Sequence, residues 1–374
     1  MIYLDYNATT PIDPQVALEI HPFIYEKFGN PSSNHSLGRE TKQAVEVARA
    51  QIAALLECSS EEILFTSGGS ESNNMAIKGA AYTLRHKGDH IITSTIEHPA
   101  VLNPCKHLEE QGYGISYLPV DENGIVQVSG LENMLTDRTI LVTVMLANNE
   151  TGTIQPIEEI SHICRKHNVL FHTDASQAVG KIPIYVNELG VDFLTVAGHK
   201  LYAPKGIGAL YIRKGVKIEP LIHGAGHESG LRAGTENVIF DVALGKACEV
   251  AAEHLKDKSL KELTDYFYVG IKTIFGDRVR LNGDPVNKLP NTLNVSFLGR
   301  NGSDVLAQLG EDIAASTGSA CHSSLVSVSP VLKAMGIPYE IARGAVRFSL
   351  GRMTTKKEID TVLDRLAHLH ADLE

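Results

Sequence analysis

The sequence predicts an α/β protein in which a mainly parallel seven-stranded sheet is covered by helices and followed by a smaller α+β domain. Three observations carry this expectation. Seven strand-like runs alternate with helix-like stretches from about residue 40 to 250: "EILFTSGG", "HIITSTIEH", "ISYLPV", "TILVTVMLANN", "VLFHTDAS", "DFLTVAGHK" and "GALYIRK". Val45, Ala48, Ile52, Leu55 and Leu56 recur at helical spacing and mark Arg39 to Glu57 as one of the covering helices. Beyond residue 250 the pattern changes to isolated strands such as "NTLNVSFL" and "AVRFSLG".

Taken in order, the first covering helix lays its apolar stripe on the sheet, and the seven runs build that sheet. The polar stretch "ACEVAAEHLKDKSLKELTDYFYVGIKTIFG" reads as a long helical segment leading into the second domain. The last helix opens with a capping box, Thr355-Lys-Lys-Glu358, and its stripe of Ile359, Val362, Leu363, Leu366 and Leu369 is plain core. The expected division is 15–250 for the large domain, with 1–14 and 251–374 forming the small one.

With 374 residues, 43% of them hydrophobic, the chain can bury a large core. Lys plus Arg number 34 against 44 Asp plus Glu, a net charge of -10, which argues against binding nucleic acid or an anionic membrane surface. No basic segment leads into an apolar run at the N-terminus, and no apolar stretch approaches the roughly 20 residues that span a bilayer, so a cytoplasmic location is expected. Five cysteines, without metal-type spacing, read as reduced thiols. Cys164 and Cys248 look like small core residues, while Cys58 and Cys105 have no distinguishing context. His223 and His227 are four apart but set among glycines, so no helix presents both to a metal, and no metal site is expected.

In doubly wound sheets the ligand lies beyond the carboxyl ends of the strands. After "EILFT", the turn Ser67-Gly68-Gly69-Ser70 opens a helix, and free N–H groups at such a start form a phosphate cradle; alone it is equally an N-capped turn. It fits neither GxGxxG nor GxxxxGK[ST]. After "VLFH", Asp174 ends an apolar strand where its charge needs a partner, such as a protonated ring nitrogen, or caps the next helix. After "DFLTV", Lys200 stands where partial desolvation would make its amine nucleophilic toward an aldehyde; alone it reads as an ordinary solvated lysine. A cradle, a carboxylate and a Schiff-base lysine together are what pyridoxal 5'-phosphate (PLP) requires of a protein. His98 and Asn149, after two further strands, complete the set: one to lie over a flat ring, the other to bond its phenolic oxygen.

The motifs "YLDYNATTP", "FGNPSS", "FTSGGSESNN", "ANNETG", "HTDASQAVGK", "GHKLYAPKGIGALYIRK", "GAGHESGLRAGTEN", "LPNTLNVSF", "STGSACHS" and "VRFSLGR" follow in order from residue 3 to residue 352. In this the chain resembles the cysteine desulfurase and selenocysteine lyase family of fold type I PLP enzymes, the class V aminotransferases. The resemblance implies that Lys200 is the Schiff-base lysine, Asp174 pairs with the pyridinium nitrogen and His98 stacks on the ring. Gly69, Ser70 and His199 would hold the phosphate, with Asn149 and Gln177 near the phenolic oxygen. Thr235 would reach the phosphate in a neighbouring subunit, which implies a homodimer. Arg347 corresponds to the arginine that grips the substrate carboxylate, and Cys321 to the catalytic cysteine.

The implied reaction converts L-cysteine to L-alanine, leaves a persulfide on Cys321 and delivers the sulfur to an acceptor or scaffold protein for iron–sulfur clusters or thiolated cofactors. Small residues around Cys321 suit a thiol that must travel, and the adjacent His322 is a candidate assistant. The family's usual opening is close to "YLDNAATT" where this chain has Tyr6-Asn7-Ala8, and many relatives carry Ser where this chain has Ala197. The alternatives are a selenocysteine lyase acting on L-selenocysteine, an aminotransferase, for which Cys321 would be idle, and a non-catalytic scaffold.

Overall fold

The computed structural model of the chain describes residues 1–317 and 328–371. A two-residue strand, β1 (Ile2–Tyr3), precedes the large sheet. That sheet is built from β2 (Ile63–Thr66), β3 (His90–Ser94), β4 (Gly114–Leu118), β5 (Thr139–Thr143), β6 (Leu170–Asp174), β7 (Phe193–Ala197) and β8 (Gly208–Ile212). Their spatial order is β2-β8-β7-β6-β5-β3-β4. Neighbours from β7 to β4 run parallel, and β8 is antiparallel to both β7 and β2. Each of the seven predicted runs supplies one strand.

Alternating residues of these strands feed two cores, as a period of two requires. Ile92, Val142, Phe171 and Leu194 pack on one face with Val45, Ala48 and Ile52 of the helix Ser36–Leu56 and with the helix Val238–His254. Ile91, Leu141, Phe193 and Leu210 pack on the other with Met75, Ile77 and Ala80 of the helix Gly69–Leu84 and Val101, Cys105 and Leu108 of the helix Pro99–Glu110. Covered on both faces, β5, β7 and β8 are buried throughout. Gly245 lets two helices touch, because a Cβ there would lie 2.5 Å from the Ala48 Cα.

The remaining strands are β9 (Val279–Leu281), β10 (Thr292–Phe297), β11 (Ile313–Ala314) and β12 (Ala345–Ser349). β12-β10-β9 form an antiparallel sheet, while β11 pairs in parallel with β1 and so ties the N-terminus to this half of the chain. Helices Ser259–Phe275 and Lys356–Ala371 cover the three-stranded sheet, with Phe267 edge-on to Phe348 at 5.1 Å and Ile359, Val362 and Leu366 beneath. The predicted capping box forms: Thr355 N donates to Glu358 Oε2 at 2.8 Å and Glu358 N to Thr355 Oγ1 at 3.3 Å.

One expected element divides. The polar stretch from Ala247 to Gly276 is two helices separated at residues 255–258. Asp257 accepts from Ser259 N at 2.8 Å, a side-chain bond that starts a new helix rather than continuing the old one. Cys105, Cys164 and Cys248 are buried and Cys58 is half-buried, all as free thiols. Among the described residues no helix is long and apolar enough to cross a membrane.

Candidate active site

The carboxyl ends of β3, β5, β6 and β7 open into a cavity of about 570 Å³. Gly69, Ser70, His98, Asn149, Asp174, Gln177, His199, Lys200 and Arg347 all line it, although they come from segments spread over most of the chain. Two larger clefts, of about 740 and 780 Å³, lie elsewhere on the surface and gather none of these residues. Thr235 stands outside the cavity and lines a neighbouring one with Ser67, Gly206 and Ile207. Cys321 and His322 lie outside the described residues.

At the end of β2 the backbone turns through Gly68, whose φ of 145° is glycine territory, straight into the helix Gly69–Leu84. A Cβ on Gly69 would sit 3.0 Å from Ser176 Oγ and 3.3 Å from the Ala197 Cβ, so the bare backbone is what lets the helix start come this close to the ends of β6 and β7. The first N–H groups of the helix have no intrahelical partner, and Gly69 and Ser70, which carry two of them, line the cavity. Glu71 steadies the turn, accepting from Ser67 N at 2.7 Å and from Arg232 Nε at 2.9 Å. Ala197 supplies no hydroxyl here, but Ser176 does.

Asp174 is buried at the end of β6. Its Oδ2 accepts from Asn73 Nδ2 at 2.7 Å and its Oδ1 from Ser176 N at 2.9 Å. These hydrogen bonds aim the carboxylate. Beneath it on the same strand His172 bonds Thr143 and Thr195, and burial pushes its imidazole down to about 4. The layer under Asp174 is therefore neutral.

Lys200 ends a 3-10 turn that follows β7. Its Nζ donates to the carbonyls of Asn7 and, at 2.7 Å, Ala8. Burial, and next the Arg347 guanidinium, push the amine down to about 8 against the opposing pull of Asp5 and Asp174. Burial, followed by the positive charges of Lys200 and Lys205, holds His199 at about 4. His98 caps the helix Pro99–Glu110, its Nδ1 accepting from Ala100 N at 3.1 Å. Burial lowers its pKa against the pull of Asp174, so the ring faces the cavity neutral with its proton on Nε2.

Arg347 donates to Asp5 Oδ1 at 2.8 Å and to the Asn149 carbonyl at 3.0 Å, and among the described residues its Nε has no partner. Gln177 Nε2 donates to the Asn7 carbonyl at 3.0 Å. Asn7, Asn73, Ser176 and Lys205 also line the cavity, and sequence reasoning gave them no role. Only the polar spacing of "SESNN" on a helix hinted at Asn73.

Glu97, next to His98, is fully buried, with Oε1 accepting from Ser94 Oγ at 2.5 Å and Met145 N at 2.8 Å while Oε2 has no partner among the described residues. Burial pushes this carboxyl up to about 8. The folded chain thus keeps a proton that the unfolded chain has released, so stability is lost as pH rises between about 4.5 and 8. Glu97→Gln should flatten the fall of the thermal midpoint across that window; an unchanged slope would show that Glu97 is ionised in the fold.

The residues fit PLP on chemistry and shape: a glycine-led helix start lining the cavity for a phosphate, a buried aimed carboxylate for a ring nitrogen, and a depressed lysine for an aldehyde. The aminotransferase class-V family model matches residues 2–362. The cysteine desulfurase IscS of Dictyoglomus turgidum is 52% identical over 372 residues, covering 98% of this chain and 94% of that one. A solved NifS-like protein superposes with a TM-score of 0.92 at 40% identity over 99% of both chains. The structure of SspA in complex with cysteine follows at 0.83 and 37%, covering 94% of this chain and 99% of that one. Fold, cavity and near-complete alignment agree that the chain belongs to the class-V aminotransferase family, within its cysteine desulfurase and selenocysteine lyase group.

Proposed function

We propose that this chain is a PLP-dependent cysteine desulfurase that converts L-cysteine to L-alanine and passes the sulfur on as a persulfide. The observation that carries the reading is the half-buried Lys200 amine, depressed to about 8, in one cavity with Asp174, His98 and Arg347. Held by the Gly68–Ser70 corner and Asp174, PLP supplies the electron sink that loosens bonds at the substrate Cα. Arg347 binds the substrate carboxylate, for which a planar guanidinium is suited. Lys200, as a free amine, takes the Cα proton. The Cys321 thiolate attacks the substrate Sγ; an S–S bond forms as the C–S bond breaks, the carbon fragment keeps the electron pair, and protonation makes it alanine.

The same reading takes residues 1–14 and 251–374 as the small domain that bears Cys321, and Thr235 as the residue that completes the site of a second subunit in a homodimer. An acceptor protein collects the persulfide sulfur for iron–sulfur or thio-cofactor assembly. Thiols left free at Cys58, Cys105, Cys164 and Cys248 support a cytoplasmic setting. The test is alanine formation from L-cysteine and L-selenocysteine side by side. Turnover of cysteine upholds the desulfurase; reaction with selenocysteine alone makes the chain a selenocysteine lyase and sinks it.

A further inference from the structure

Lys181 is a second lysine close to Lys200 with no part in the reaction above. Gly180, at φ 74°, brings it there, since a Cβ on that glycine would fall 2.0 Å from Leu201 Cδ1 and force the turn away from the Lys200 segment. The Lys181 Nζ donates to Asn7 Oδ1 and to Gln177 Oε1, each at 3.0 Å. Its two hydrogen-bond partners are neutral amides, and the charges that face it, Lys200 and Arg347, are both cations. Burial, followed by those two charges, holds its amine well below the usual lysine range. Two N–H donors suffice for both bonds, so a neutral amine satisfies this arrangement.

Asn7 is 1% exposed and uses every polar atom it has. Besides Lys181, its Oδ1 accepts from Asn291 Nδ2 at 3.0 Å, and its Nδ2 donates to Thr292 Oγ1 at 2.8 Å and to the Asn149 carbonyl at 3.2 Å. Its N–H donates to Ser349 Oγ at 2.9 Å. Its carbonyl accepts from Gln177 Nε2 at 3.0 Å and from Lys200. A side-chain amide fits its slot in two orientations unless a neighbour offers only one kind of bond. Here the Asn149 and Asn7 carbonyls, which only accept, hold the NH₂ groups of Asn7 and Gln177, and the Lys181 amine donates to the two side-chain oxygens on the other side.

We propose that Lys181 and Asn7 are positioning residues for Lys200: Lys181 ties the side-chain oxygens of Asn7 and Gln177 together, and the Asn7 side chain so held keeps in place the Asn7–Ala8 carbonyls that receive the Lys200 amine. The inference rests on Lys200 being the Schiff-base lysine, which must wait as a free amine during part of each turnover. A displacement of about 1 Å at a reacting group can cost on the order of a hundredfold in rate. Losing Lys181 leaves Gln177 Oε1 without a partner, and an unsatisfied buried acceptor turns to find one.

The test uses full-length wild type, Lys181→Met and Asn7→Ala, each stripped of cofactor and mixed with saturating pyridoxal phosphate while the visible Schiff-base band is followed. Both variants should develop the band about tenfold more slowly than wild type, reaching the same final amplitude. In the reloaded enzymes kcat should fall by a similar factor with KM within about twofold. A variant with a lowered thermal midpoint but the wild-type rate of band formation would make the role merely structural and overturn the inference. Should Lys181→Met fail to fold, Asn7→Ala decides. A wild type that forms no band would instead defeat the assignment of Lys200, a distinct failure.

Discussion

Lys200→Ala is expected to yield a folded protein that develops no visible Schiff-base band with pyridoxal phosphate and turns over at least about a thousandfold more slowly. No second amine replaces it, because Lys181 is engaged by Asn7 and Gln177 and Lys205 donates to the Thr10 carbonyl at 3.1 Å. The fold should not suffer. Burial holds Lys200 near 8 against an ordinary 10.5, so between those values the unfolded chain carries a proton that the folded chain lacks. Stability therefore rises with pH across that interval, and the penalty is fully present below 8; removing the amine relieves it. The thermal midpoint of cofactor-free Lys200→Ala at pH 7 should equal or exceed that of cofactor-free wild type. In wild type, the rate of band formation should climb with a midpoint near 8, since only the neutral amine attacks the aldehyde. A variant that keeps band and turnover would remove Lys200 from the reaction.

Cys321→Ala should do the opposite on the first count: the band forms as in wild type, while sulfur release and alanine formation from cysteine fall by at least about a hundredfold. None of the other four cysteines can substitute. Burial pushes the thiols of Cys58, Cys105 and Cys164 up to about 12 and raises that of Cys248 as well, so all stay protonated and poorly nucleophilic. Cys321 lies outside the described residues, but the chain on either side of it is anchored at the cavity. Ser316 exchanges backbone hydrogen bonds with Arg347, at 3.1 and 2.6 Å. Ser329 donates to the buried Glu150 Oε2 at 2.5 Å, one residue from Asn149. Persulfide trapping and mass spectrometry after a single turnover would place the sulfur. Undiminished desulfuration by the variant would refute the nucleophile.

Much of this was legible along the chain. The seven strands announced themselves because each is an apolar run fenced by polar turns, and the residues just past β2, β6 and β7 stood out as polar where burial penalises polarity. Gly69, Asp174 and Lys200 could be named on that ground, and the ordered motifs added Gln177, His199 and Arg347. Asn7 could not be read this way. Near the N-terminus it looks like one more turn residue, yet it bonds Thr292 across 285 positions and Lys200 across 193. Asn73 and Lys181 sat inside quoted motifs without a role for the same reason: each acts on a partner that only folding brings near. The break at residues 255–258 escaped notice because a local side-chain bond to Ser259 N interrupts an otherwise helical pattern.

By itself, then, the sequence determined which segments are strands and helices, which residues end at the carboxyl edge of the sheet, and what chemistry those residue types permit. Periodicity and turn chemistry are properties of a few neighbouring residues, so they can be read in one dimension. Tertiary structure alone decided that Lys200 is a depressed amine held by the Asn7 and Ala8 carbonyls, that Asp174 is aimed by Asn73, and that Arg347 meets Asp5. Burial and charge act through space, and the groups that set them are scattered along the chain until it folds.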